Sequence, residues 1–157
     1  MNPLTMTLIG SSFLLLVAAG CSRAAGTPNG EVTLAVEVGD QFVFSPDRFH
    51  CLTGQPVRLR LTSRLRTDGS ALMHNVAALA AGVDPDTFGQ AAVTARPEDG
   101  YVPAGFAGRV IAASGFARGG ETVEFVFVAP KTAGVYPVVC TFPGHCLLGM
   151  KATLVVE

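Results

Sequence analysis

The chain has no tryptophan, two tyrosines and only three histidines in 157 residues. Charge is scarce as well: charged residues make up 15%, and eleven Lys and Arg stand against twelve Asp and Glu, for a net charge of −1. Without a basic excess there is no electrostatic footprint for nucleic acid. With 49% hydrophobic residues the composition also excludes a disordered chain. No apolar run is long enough for a comfortable transmembrane helix. Turn formers, by contrast, are plentiful. Eighteen Gly and ten Pro suit short strands joined by many turns, and the length suits one domain with a real core.

The opening residues read as an export signal. Leu8-Ile9-Gly10-Ser11-Ser12-Phe13-Leu14-Leu15-Leu16-Val17-Ala18-Ala19 is a short apolar run ending in small residues. Ala18-Ala19-Gly20-Cys21 then resembles the bacterial lipobox, which implies cleavage before Cys21 and lipidation of that residue. Two features depart from the pattern: Ala18 stands where Leu is usual, and residues 1–7 hold no Lys or Arg. The alternatives are an ordinary secretory signal cleaved near Ala19 and an uncleaved anchor. Each places the domain in an oxidising compartment, on the periplasmic or cell-surface face of a bacterial membrane. Ser22 to Gly30 reads as a flexible tether. The expected organisation is therefore a signal peptide over 1–21, a tether over 22–30 and one folded domain over 31–157, with no internal repeat.

Strand signals fill that domain. Val32, Leu34, Val36 and Val38 alternate with polar or small residues up to Gly39-Asp40. Phe42 and Phe44 start a segment that Pro46 breaks, and Phe49 and Cys51 share one side of the next. Val57, Leu59 and Leu61 alternate with Arg58, Arg60 and Thr62 in a half-buried strand. Met73 to Leu79, Thr122 to Val128, Val135 to Cys140 and Lys151 to Val156 are further strand-like runs. Asp84-Pro85 reads as a helix start, Asp84 capping and Pro85 in the first turn, with the helix running to about Ala95. The stretch from Glu98 to Ser114 reads as loop. Many short strands and one inserted helix predict an all-β sandwich or barrel.

The chemistry concentrates in Cys140-Thr141-Phe142-Pro143-Gly144-His145-Cys146-Leu147-Leu148-Gly149-Met150. A thiolate, an imidazole and a thioether lie in one short loop, and Gly144 and Gly149 permit tight turns. Soft sulfur plus imidazole selects copper over hard cations, and a His₂Cys triangle with a weak axial Met is the blue-copper arrangement. The second imidazole must be His50 or His74. His50 lies between Phe49 and Cys51, which face inward by alternation, so it points outward.

On these residues the chain resembles the cupredoxins, most closely the azurin and auracyanin group. Cys140-Thr141-Phe142-Pro143-Gly144-His145 matches the azurin ligand loop residue for residue. The His145–Met150 spacing is one longer than in azurins and matches auracyanins. Met73-His74-Asn75 is similar to the upstream Gly-His-Asn motif, and further similarity lies in Arg109-Val110-Ile111-Ala112, in the Thr122 to Phe127 run and in Gly134-Val135-Tyr136. The resemblance spans about Glu31 to Glu157.

It implies a Greek-key cupredoxin sandwich holding one copper ion, with His74, Cys140, His145 and Met150 as ligands, His145 having its ring edge near the surface as the electron port. It further implies that Asn75 ties the His74 segment to Cys140 and Thr141, and that the N–H groups of Asn75 and Phe142 point at the Cys140 sulfur. Met73 replaces the Gly whose carbonyl is a distant fifth contact in azurins, which favours a four-ligand site. The implied function is that of a one-electron carrier between redox proteins such as cytochromes or terminal oxidase components, not an enzyme. The chain has no His-x-His pair for a type 2 or trinuclear centre. A copper-delivery lipoprotein is the alternative.

Four features remain. Cys51 reads as a small buried hydrophobe. Cys146 reads as a free thiol beside the site, open to oxidation. Arg58, Arg60, Arg64 and Arg66 read as a solvated strand face and loop, with an acidic partner's docking patch as the other reading. Phe142, Pro143, Leu147 and Leu148 read as an apolar docking rim around His145.

Overall fold

A computed structural model describes residues 30–64 and 72–157. The expected export segment, Cys21, the tether up to residue 29 and Arg66 lie outside the described residues. The elements in chain order are β1 Val32–Val38, β2 Phe44–Ser45, β3 Arg48–Cys51, β4 Pro56–Ser63, β5 Met73–His74, β6 Ala77–Leu79, helix α1 Pro85–Ala92, β7 Val110–Ala113, β8 Ala117–Arg118, β9 Thr122–Val128, β10 Gly134–Val139 and β11 Lys151–Val156.

Two sheets form, in the orders β2-β1-β4-β9 and β3-β11-β10-β6-β7, with a small β5-β8 ribbon at one end. β1 runs parallel to β4 from Val32↔Val57 to Val38↔Ser63, and β3 runs parallel to β11. The other pairings are antiparallel. Val36, Val38, Val57, Leu59 and Leu61 from one sheet share a core with Phe49, Cys51, Val138, Leu154 and Val156 from the other. This is the β-sandwich that the alternation of these strands predicts.

The structure pairs the three described arginines of the run, Arg58, Arg60 and Arg64. Arg58 meets the Glu31 carboxylate at 2.8 Å and Glu124 at 3.7 Å, Arg60 meets Glu124 at 3.2 Å, and Arg64 pairs with Glu37. These guanidiniums are matched within the sheet face, so it is no free positive patch. His50 points outward as expected, its Nδ1 within 3.2 Å of Glu157.

Helix α1 begins where the sequence places it. Asp84 Oδ1 accepts from the Thr87 N–H at 2.7 Å and Pro85 occupies the first turn. The helix closes at Ala92, three residues before the expected Ala95, because the chain tightens there into turns, with Val93 N–H donating to the Gln90 carbonyl. Phe88 and Ala92 pack over Ala77, Leu79, Val139 and Cys146, a second small core. The Glu98–Ser114 stretch is not loop throughout. It holds two 3₁₀ turns, Pro97–Asp99 and Ala104–Arg109, and strand β7, which pairs Ala112 with Ala78 and Ala113 with Ala77. The short, Ala-rich strand lacks the large β-branched alternation that marks strands in a sequence.

Leu61 is fully buried at the centre of β4. Leu61→Ala leaves a cavity between the sheets and is expected to lower unfolding stability by about 2–5 kcal/mol, read as a shifted midpoint in urea.

Candidate metal centre

The β10–β11 connection is built as a hairpin of turns. Cys140 N–H donates to the Met150 carbonyl at 3.2 Å, closing its base. Within it the N–H groups of His145, Leu148, Gly149 and Met150 donate to Phe142, Gly144, Cys146 and His145 at 3.0–3.1 Å. Gly144 at φ +83° and Gly149 at φ +106° occupy backbone conformations that L-residues rarely adopt. Cys140, His145 and Met150 all turn inward and are buried.

His74 arrives from the opposite side at the end of β5. Its segment is held to the Cys140 loop by Asn75, whose Oδ1 accepts from the Thr141 N–H at 2.8 Å and lies 3.2 Å from the Thr141 hydroxyl oxygen, whose one hydrogen is taken by the nearer Gly100 carbonyl. Thr141 Oγ1 lies 2.7 Å from the Gly100 carbonyl, fastening the loop to the turn that follows the first 3₁₀ segment. Ser114 braces the other flank: its Oγ accepts from Val76 N–H at 3.0 Å, and its own N–H donates to the Val76 carbonyl at 2.9 Å. Met73, next to His74, is half-buried and paired with Arg118 across β8.

These anchors bring three ligand atoms together. One donor atom each from His74, Cys140 and His145 lies within 4.8 Å of the others, the one such group among the described residues. Cys140 Sγ is 3.6 Å from His145 Nδ1, and the two imidazole centroids are 4.8 Å apart. Met150 is fully buried in the same core as Cys140.

Burial governs the protonation of all three groups. It holds His74 down at about 4, and burial with the neighbouring His74 ring holds His145 at about 4, so both imidazoles are neutral at pH 7. Burial pushes the Cys140 thiol up to about 12, against the opposing pull of the Asn75 and Phe142 N–H groups directed at its sulfur. Neither ring nitrogen of His74 has a hydrogen-bond partner. An imidazole that is buried, neutral and unpartnered beside a thiol and a second imidazole is a poor core residue and a good metal ligand. The donor set is soft nitrogen and sulfur with no carboxylate, which fits copper and not a hard cation.

Two sequence expectations change, those for Cys146 and Phe42. Cys146 is a free cysteine, but it is not open to oxidation. It is 1% exposed, its thiol donates to the Pro85 carbonyl at 3.1 Å, and burial pushes it up to about 11. Helix α1 lies over it so closely that a Cβ on Gly89 would stand 3.1 Å from the Cys146 side chain. His145 is 3% exposed, with Phe142 packed at 4.6 Å and Phe42 at 5.1 Å between ring centroids, so little of its ring reaches solvent. Phe42 begins no strand but sits in the β1–β2 turn, where its N–H donates to the Gly39 carbonyl at 3.2 Å.

Sequence reading missed Phe42, Tyr101 and Phe116 as neighbours of the site. Tyr101 and Phe116 pack edge-on to Phe142 at 5.3 and 6.4 Å. Their only local signal was position beside Gly-rich turns. Leu147 and Leu148 are 43% and 67% exposed, with Phe142 and Pro143 half-buried beside them.

Comparison with known proteins agrees with this geometry. Residues 30–157 match the model of the copper-binding proteins of the plastocyanin/azurin family. Auracyanin-A of Chloroflexus aurantiacus is 34% identical over 131 residues, 82% of this chain and 76% of that protein. The solved structure of auracyanin A, described as a "blue" copper protein from that green thermophilic photosynthetic bacterium, superposes with a TM-score of 0.69 at 33% identity, covering 82% of this chain and 100% of that one. Dithionite-reduced auracyanin of Roseiflexus castenholzii gives 0.67 at 27% identity, covering 80% and 96%. The chain therefore belongs to the plastocyanin/azurin family of copper-binding proteins: it is a cupredoxin for one copper ion, an electron carrier rather than an enzyme.

Proposed function

We propose that this chain is a mononuclear type 1 copper protein that passes single electrons between redox proteins outside the cytoplasm. The observation that carries the reading is the convergence of His74, Cys140 and His145 within 4.8 Å in a buried pocket. Copper supplies the Cu(I)/Cu(II) couple when bound. His74 and His145 would hold it with neutral imidazoles, Cys140 with a thiolate and Met150 with a weakly bound thioether that would tune the potential. Asn75 holds the two ligand segments at a fixed separation, and the Asn75 and Phe142 N–H groups stabilise negative charge on the Cys140 sulfur. A site fixed by two sheets and buried from water changes little between oxidation states, which suits a carrier.

Leu147 and Leu148, with Phe142 and Pro143, form the apolar rim through which a partner docks, in keeping with the small contacts of transient redox encounters. Cytochromes or terminal oxidase components are the partners that this reading favours, and nucleic acid is not among them. The leader and Cys21 support export across a bacterial membrane and retention there by a lipid, with residues 22–30 as the tether and 31–157 as the working domain. Among the described residues no helix is long and apolar enough to cross a membrane.

Cu(II) added to the copper-free protein is expected to give an intense thiolate-to-copper band and a narrow copper hyperfine splitting. A pale solution with an ordinary tetragonal EPR signal would refute the ligand set. Fast electron self-exchange is expected, and a slow rate would favour copper delivery instead. Replacing Leu148 with Ala is expected to leave the spectrum unchanged while slowing transfer to a protein partner roughly fivefold, the effect of about 1 kcal/mol at a contact. At pH 7 the histidines are neutral and the Cys140 thiol is protonated, so copper binding releases about one proton, from Cys140. Calorimetry in buffers of different ionisation enthalpy checks this. As pH falls towards 4 the histidines must also lose protons to bind, so affinity drops more steeply there.

A further inference from the structure

Two non-glycine residues among those described have clearly positive φ: Phe42 at +54° and Tyr101 at +58°. Bulky L-residues disfavour that region, and Gly, Asn or Asp are its ordinary occupants in turns. Here both positions are aromatic: Phe42 packs on the imidazoles themselves, and Tyr101 reaches them only through Phe142. The Phe42 centroid lies 5.1 Å from that of His145 and 5.7 Å from that of His74. Tyr101 stands edge-on to Phe142 at 5.3 Å, and Phe142 in turn lies 4.6 Å from His145. Unfavourable backbone of this kind persists where the surroundings impose it, and it clusters at functional sites.

The sheets do not need a ring at residue 42. β2 pairs with β1 only at Ser45 and Phe44, and the neighbouring Val43 is 43% exposed. What the ring does is stand, half-buried, beside two imidazoles that are 0% and 3% exposed. We infer that Phe42 is the cap of the site: its ring closes the solvent side of the His74–His145 pair, and copper and small solutes gain access when the Gly39–Val43 turn yields. The part of this that concerns copper rests on the ligand reading above; the part that concerns the histidines does not. The turn that carries the cap is a short loop between β1 and a two-residue strand, and exposed loops of this kind open locally.

The test uses acylation of histidine by diethyl pyrocarbonate on the copper-free chain, followed by mass spectrometry. The chain has three histidines, and His50, with its side chain 57% exposed, is the internal reference. In the wild type, His145 and His74 are expected to react far more slowly than His50. In Phe42→Gly, which suits φ +54° and so keeps the turn, His145 acylation relative to His50 is expected to rise about tenfold. Phe42→Asn, also tolerant of positive φ, is expected to behave like the glycine variant, and Phe42→Tyr like the wild type. In the copper-loaded protein, transfer of Cu(I) to a strong chelator is expected to accelerate similarly in Phe42→Gly while the thiolate-to-copper band keeps its intensity. Wild-type His145 reacting as fast as His50, or a Phe42→Gly rate within about twofold of wild type, would overturn the cap. A wild type that forms no blue band would overturn the ligand reading, and the histidine rates would then decide the cap by themselves.

Discussion

The site depends on one side chain that touches no metal. Asn75 Oδ1 takes a hydrogen bond from the Thr141 N–H, while the Thr141 hydroxyl donates to the Gly100 carbonyl, and these bonds fix the distance between the His74 segment and the Cys140 loop. The two ligand groups come from positions 66 residues apart and from different strands, so nothing in local geometry sets that distance. Asn75 and Thr141 are buried, which makes the bonds strong and the loss of either partner costly. The same segment supplies the Asn75 N–H to the Cys140 sulfur, so the tie that positions the ligands also adjusts the electron density of the strongest one.

Around this tie the protein solves a conflict between burial and charge. A dry site protects the ligands and keeps them rigid, but it disfavours a thiolate and an imidazolium alike. The fold answers with directed N–H groups at the sulfur and with aromatic rings at the imidazoles. Rings exclude water without offering hydrogen bonds that would compete for the ligand nitrogens. The loop glycines and the left-handed aromatic residues are two halves of that answer. The former let the loop curl inward, and the latter close it over.

Much of this was legible in the sequence, and for physical reasons. The alternation through Val57, Leu59 and Leu61 is imposed by the pleat, and the Asp84-Pro85 start is imposed by helix-end chemistry. The loop Cys140 to Met150 was readable because its ligands are local. What was not readable depended on contacts remote in sequence. Strand β7, Val-Ile-Ala-Ala, is too short to show an alternation, and its pairing with β6 makes it a strand. Cys146 looked like a surface thiol because its cover, α1, comes from some sixty residues earlier. Phe42 read as a strand residue by its spacing from Phe44. Its left-handed backbone and its place against His145 follow from tertiary packing, which overrides local preference.

The burial of Cys140 has a consequence for the protein's life before it acquires metal. The export proposed above would bring the chain into an environment where thiols are consumed. Sulfur oxidises as an accessible thiolate, and here it is stored as a neutral, enclosed thiol. Cys51 and Cys146 are enclosed as well. The empty-handed protein can therefore wait: oxidant reaches its sulfurs only in the small fraction of time that the fold stands open.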